Sequence, residues 1–103
     1  MPKSKIYIPI LDHYIHVILE DEIEEALAYV NATENKVLYA VFQRGKITPS
    51  LIVHETVHLV NAIFMFKGIT PTVTNDETQA YLTEYIFYKL TEILNKLEKK
   101  GKV

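Results

Sequence analysis

Apolar positions along the chain fall into three short runs and two long ones. Ile6-Tyr7-Ile8-Pro9-Ile10-Leu11 is rich in β-branched and aromatic residues and predicts a strand. Pro9 assigns it to a sheet edge or an irregular start, because proline cannot donate to a ladder. Asp12-His13 can turn the chain into a second strand, Tyr14-Ile15-His16-Val17-Ile18-Leu19. From Asp21 to Val30, Ile23, Ala26, Leu27 and Val30 recur at helical spacing, which predicts a short amphipathic helix with an acidic outer face. Asn31 to Lys36 reads as a loop, in which the formal sequon Asn31-Ala32-Thr33 is a turn. Val37-Leu38-Tyr39-Ala40-Val41-Phe42 predicts a strong strand, ended by Arg44-Gly45.

The two longer runs are helical. Thr48 is a suitable N-cap, Pro49 a suitable first helical residue, and Gly68 a suitable stop after Lys67. Between them Leu51, Ile52, Val53, Val57, Leu59, Val60, Ile63, Phe64 and Phe66 surround most of the helix, which predicts a place at the centre of the domain. A second helix starts near Thr74 and runs to about Lys99. On it Glu77, Tyr81, Glu84 and Tyr88 fall within about 60° of arc, a polar stripe on an otherwise apolar helix. The expected fold is α+β: a small sheet of about three strands packed on this helical pair, in one domain spanning residues 1–103. No internal repeat or low-complexity stretch interrupts it.

The first long helix contains His54-Glu55-Thr56-Val57-His58, an H-E-x-x-H sequence. Residues four apart on a helix are separated by about 40°, so both imidazoles can reach one zinc ion at about 2.0–2.1 Å. Glu55 lies about 60° round from His58, beside such a metal but suited to act as a general base on water rather than as a ligand. In a central helix these three polar groups would be costly without partners, and a metal would supply them. A third ligand has to come from elsewhere, since no histidine follows His58 and the chain has no cysteine. Glu77, nineteen residues after His58, is the expected third ligand if the second helix returns antiparallel. Glu77 also completes a capping box with Thr74, which is its structural alternative, and Glu84 is the reserve ligand.

An H-E-x-x-H helix followed about twenty residues later by a helix-borne glutamate resembles the gluzincin metallopeptidases. The stretch Glu77-Thr78-Gln79-Ala80 is more like the compact minimal metallopeptidases of phages and mobile elements. The resemblance covers roughly residues 36–99. It implies His54, His58 and Glu77 as zinc ligands, Glu55 as base, and a peptide or protein as substrate. Two departures stand out. Tyr81 occupies the position where thermolysin-type relatives carry an aspartate that orients a ligand histidine, and the later oxyanion-stabilising histidine is absent.

Composition narrows the classes further. Formal net charge is −2 and the pI about 6.1, so overall charge gives no nucleic-acid footprint. Lys96 to Lys102 form a basic helix end and tail, which complements the helix dipole. The absence of cysteine excludes disulfides and fits a reducing compartment; no signal peptide or membrane span is evident, and a cytoplasmic setting is expected. His13 and His16 are expected as exposed strand-end histidines sharing a face, and Tyr81, Tyr85 and Tyr88 as packing residues. Asn61 lies three residues after His58 on the same face, where a role behind the ligands competes with an ordinary exposed position. The functional expectation is a zinc peptidase. An extended substrate would lie beside the Val37–Phe42 strand if that strand is the nearest sheet edge. The rival is a zincin-like module that binds metal and a partner protein without turnover.

Overall fold

The structure is a computed structural model that describes residues 2–100, with the backbone alone for Asn75 and Lys100. Four strands, β1 (Lys3–Ile8), β2 (His13–Glu20), β3 (Ala28–Ala32) and β4 (Leu38–Gln43), form one sheet in the order β1-β2-β4-β3. β1 pairs antiparallel with β2, β2 parallel with β4, and β3 antiparallel with β4. Helices α1 (Pro49–Phe66) and α2 (Asp76–Lys100) follow, with a 3-10 turn, Val73–Asn75, leading into α2. The α+β architecture is as the sequence implied, with four strands rather than about three.

The additional strand is the main correction. Residues 21–30 do not form a helix; irregular backbone leads into β3, and Glu25 takes a positive φ of 62°. The apolar spacing there is ambiguous. Leu27, expected on the buried stripe, is 51% exposed, whereas Ala28 is buried and Tyr29 exposed, an alternation of period two. Asn31 and Ala32 belong to this strand rather than to a turn. The reversal is made by residues 33–37, where Thr33 Oγ1 accepts from Val37 N (3.1 Å) and Lys36 adopts φ 62°. β1 begins and ends three residues earlier than predicted, since Pro9 to Asp12 form the turn and Asp12 takes φ 47°. It is nevertheless an edge strand, the place proline pointed to.

One sheet face is covered. Ile15, Val17, Leu38, Ala40 and Phe42 are fully buried against Leu59, Ile63, Leu82, Ile86 and Leu90 in a single core. α1 lies over β3 and β4, and α2 over β1 and β2, with the helices packed on each other. α1 is therefore a layer helix and not a central one: Val53 and Val57 are each 47% exposed. Its length and apolar composition would suffice to cross a membrane, contrary to the expectation that no segment approaches this, but its buried stripe serves the core. At its far end Arg44 donates to Asp21 and to the Glu98 carbonyl, and Glu98 accepts from Gly45 N, tying the β4–α1 turn to α2. The expected basic tail beyond Lys100 lies outside the described residues.

His13 and His16 are three residues apart, an odd spacing that places them on opposite faces of β2 rather than on one. His13 stacks on Phe66 and His16 lies against Tyr39.

Both ends of α1 match their sequence signals. Thr48 is extended (φ −128°, ψ 157°), and its side chain accepts from Leu51 N at 3.2 Å. At the other end Gly68 takes φ 68°, with Ile69 N donating to Phe64 O and Gly68 N to Met65 O, the paired bonds of a Schellman cap. Thr48→Ala should lower stability by about 0.5–2 kcal/mol, read as a reduced urea midpoint at unchanged slope, while Thr48→Ser should stay near wild type.

Candidate functional site

α1 directs His54, Glu55 and His58 toward β3. Its opposite flank, with Val53 and Thr56, faces α2. Thr56 is fully buried and turns its hydroxyl back to Ile52 O at 2.7 Å, which satisfies it inside the helix. The two imidazoles converge, with Nε2 atoms 3.3 Å apart and ring planes at 77°. Both histidines are exposed, so their burial creates no demand for a metal. Glu55 is the sheltered member: its side chain is only 5% exposed, and its Oε2 lies 3.9 Å from His54 Nε2. The H-E-x-x-H spacing thus places a buried carboxylate beneath a solvent-facing imidazole pair.

These side chains form one wall of a cleft of about 390 Å³, whose other wall is Ala28, Tyr29, Val30 and Ala32 of β3. β3 pairs only with β4, so its outer edge retains free N–H and C=O groups beside the cleft. The edge expected at Val37–Phe42 is not available, because β4 runs inside the sheet between β2 and β3. β3 is the wall of the cleft that the sequence does not predict. Its sequence signal, the alternation of Ala28, Val30 and Ala32 with Tyr29 and Asn31, competes with the helical spacing of Ile23, Ala26, Leu27 and Val30.

Glu77 lies in the first turn of α2, exposed, and is not among the residues that line this cleft. Glu84 borders a separate groove between the helices with Val53, Thr56 and Phe87. α1 stands between that groove and the histidines. Among the described residues no group of three or more His, Cys, Asp or Glu is arranged to hold a metal ion. Thr74, the alternative partner of Glu77, lies in the 3-10 turn with its hydroxyl 2.8 Å from that of Thr72. Tyr81 and Tyr88 are exposed on α2, Tyr85 donates to Tyr7 O, and Asn61 is exposed on α1. No protein-family model, curated protein or solved structure matches the chain.

Away from the cleft, His13 of β2 has a lowered pKa. Partial burial, then the nearby Lys67 charge, hold its pKa below the usual 6.5. The folded state therefore binds fewer protons than the unfolded chain, and the contribution to stability is intact above about pH 6.5. It is lost as pH falls from there through the depressed folded value. The pH dependence of the unfolding free energy between pH 7 and 5 should be shallower in His13→Phe than in wild type; equal slopes would show that His13 titrates normally.

Proposed function

We propose that the chain is a minimal zincin-type hydrolase that binds one zinc through His54 and His58 and cleaves a peptide bond with Glu55 as general base. The observation that carries this is the 3.3 Å separation of the two Nε2 atoms beside a buried glutamate. Two nitrogens on one tetrahedral zinc at about 2.05 Å lie about 3.3 Å apart. An N–H···N hydrogen bond has a similar length, so the distance supports the metal through the company it keeps: helical i, i+4 spacing, an open cleft and Glu55. When bound, zinc supplies Lewis acidity, polarising a carbonyl and bringing the pKa of water toward neutrality. Glu55 takes the proton from water and returns it to the leaving amine. Its burial keeps the carboxylate in one place, and the neighbouring imidazole limits its approach to the cleft side. An extended peptide would pair with the open edge of β3, with its scissile bond opposite the histidines.

The donor set in the cleft is one ligand short of the three that a catalytic zinc commonly has. Glu77 remains the proposed third ligand, which requires the first turn of α2 to come across to the β3 side of α1. The two-imidazole set also favours a second reading, a metal-binding module that turns over nothing and is completed by a partner protein. The missing histidine downstream points the same way.

Untagged protein dialysed against trace zinc should retain about one equivalent by elemental analysis, and His58→Ala should lose it. A folded wild type that takes up no added zinc would overturn the proposal. Glu77→Ala separates the two shells: weakened zinc affinity makes it a ligand, and unchanged affinity leaves the pair as the whole protein contribution.

Glu55→Gln keeps the shape and removes the basicity. It should hold zinc as wild type does while losing at least about 10²-fold of peptide hydrolysis, read by mass spectrometry on a degenerate peptide pool. Zinc uptake by wild type with no cleavage of any peptide favours the partner-binding module.

A further inference from the structure

Both helices pack on one face of the sheet, and the other face carries aromatic and basic side chains. The residues that alternate with the core positions point away from α1 and α2. The register sets Lys5, His16 and Tyr39 side by side across three strands, with Tyr7 opposite Tyr14 in the row on one side. In the row on the other side Lys3 stands on β1 and Tyr29 on β3. Tyr14 is 50% exposed, Tyr7 40% and Tyr29 39%. The rings lie close together in tilted pairs: Tyr7 lies 4.8 Å from Tyr14 at 42°, His16 lies 5.3 Å from Tyr39 at 32°, and Lys5 Nζ sits 5.4 Å from the Tyr14 ring centre. Lys3, Lys5, His16, Ile18 and Tyr39 line a concavity of about 790 Å³. Within the four strands the one carboxylate is Glu20, at the end of β2, and Asp12 in the first turn accepts from the Tyr7 hydroxyl.

We propose that this helix-free face binds single-stranded nucleic acid, with bases stacked on Tyr14, Tyr39 and His16 and phosphates held by Lys3 and Lys5. Exposed aromatic rings on a sheet accept the flat faces of unpaired bases whatever their sequence, and adjacent lysines neutralise the backbone. The spread of rings over several rows suits a strand of several nucleotides better than a single one. A duplex hides its base faces and would meet only the two lysines. Net charge of −2 argued against a nucleic-acid partner for the chain as a whole. The local arrangement reverses that on one face, and two lysines imply modest affinity. With about two phosphates neutralised, log K should fall with log salt at a slope near −1.4.

Fluorescence anisotropy of the full chain with labelled ten-nucleotide RNA and DNA strands of mixed sequence, at low salt, tests this. Saturable binding is expected, weakened about fivefold or more by Tyr14→Ala and retained by Tyr14→Phe. The double variant Lys3→Glu, Lys5→Glu should abolish it, with circular dichroism confirming the fold of each variant. Glu55→Gln and His58→Ala should bind as wild type, which keeps this outcome separate from that of the zinc site. The proposal is overturned by absence of saturable binding up to about 1 mM, by equal affinity for a duplex, or by a mononucleotide that binds as tightly as the strand. It is also overturned if sedimentation shows that the Tyr14 and lysine substitutions instead dissociate a dimer.

Discussion

The insertion of β4 between β2 and β3 is the constraint from which the remaining geometry follows. β4 is paired on both edges, and its helix-facing Leu38, Ala40 and Phe42 are fully buried. A strand so enclosed has no freedom of register, because a one-residue slip would exchange Leu38 and Phe42 for Tyr39 and Val41 in the core. Its neighbour β3, joined by a short reversal, is thereby left at the edge. α1 leaves the opposite end of β4 after only the turn around Gly45 and packs over β3 and β4. The face of α1 that carries His54 and His58 then meets an open strand edge as a consequence of chain order.

The same layering accounts for what was legible in the sequence. α1 was readable to the residue, since Thr48, Pro49 and Gly68 each act through local backbone chemistry that neighbours do not alter. The pairing of His54 with His58 follows from helical geometry alone. β3 was not readable by spacing, because Ile23, Ala26, Leu27 and Val30 satisfy a helical period as well as Ala28 to Ala32 satisfy a strand period, and pairing with β4 decided between them. The apolar residues around α1 suggested a central helix, yet in a two-layer fold one stripe of such a helix faces water, and Val53, Val57 and Met65 occupy it.

That correction changes the argument for a metal. Had the histidines been buried, the cost of unpartnered imidazoles would have demanded an ion. They are exposed, and this demand vanishes. What needs accounting for is Glu55, an acidic residue almost fully buried next to the one pair of histidines that points at a cleft. A glutamate placed for helix stability alone gains nothing from shelter, whereas a base that must receive and return a proton gains a fixed position.

The placement of α2 decides which side of α1 Glu77 can reach. α2 packs on β1 and β2 and on the Thr56 flank of α1, so the polar stripe of Glu77, Tyr81, Glu84 and Tyr88 is directed to solvent and to the interhelical groove. Sequence separation from His58 suits a ligand, but separation along the chain says nothing about which side of α1 the return passes. Passage on the β3 side would set α2 over the cleft and cover the open strand edge; passage on the β1–β2 side leaves that edge free and moves Glu77 away. A covered edge would complete the metal shell and exclude a strand-like substrate from β3. The observed packing keeps the edge accessible and Glu77 away from the imidazole pair. On the proposed zinc reading, a carboxylate brought from the first turn of α2 and a peptide paired with β3 would therefore compete for the same side of α1.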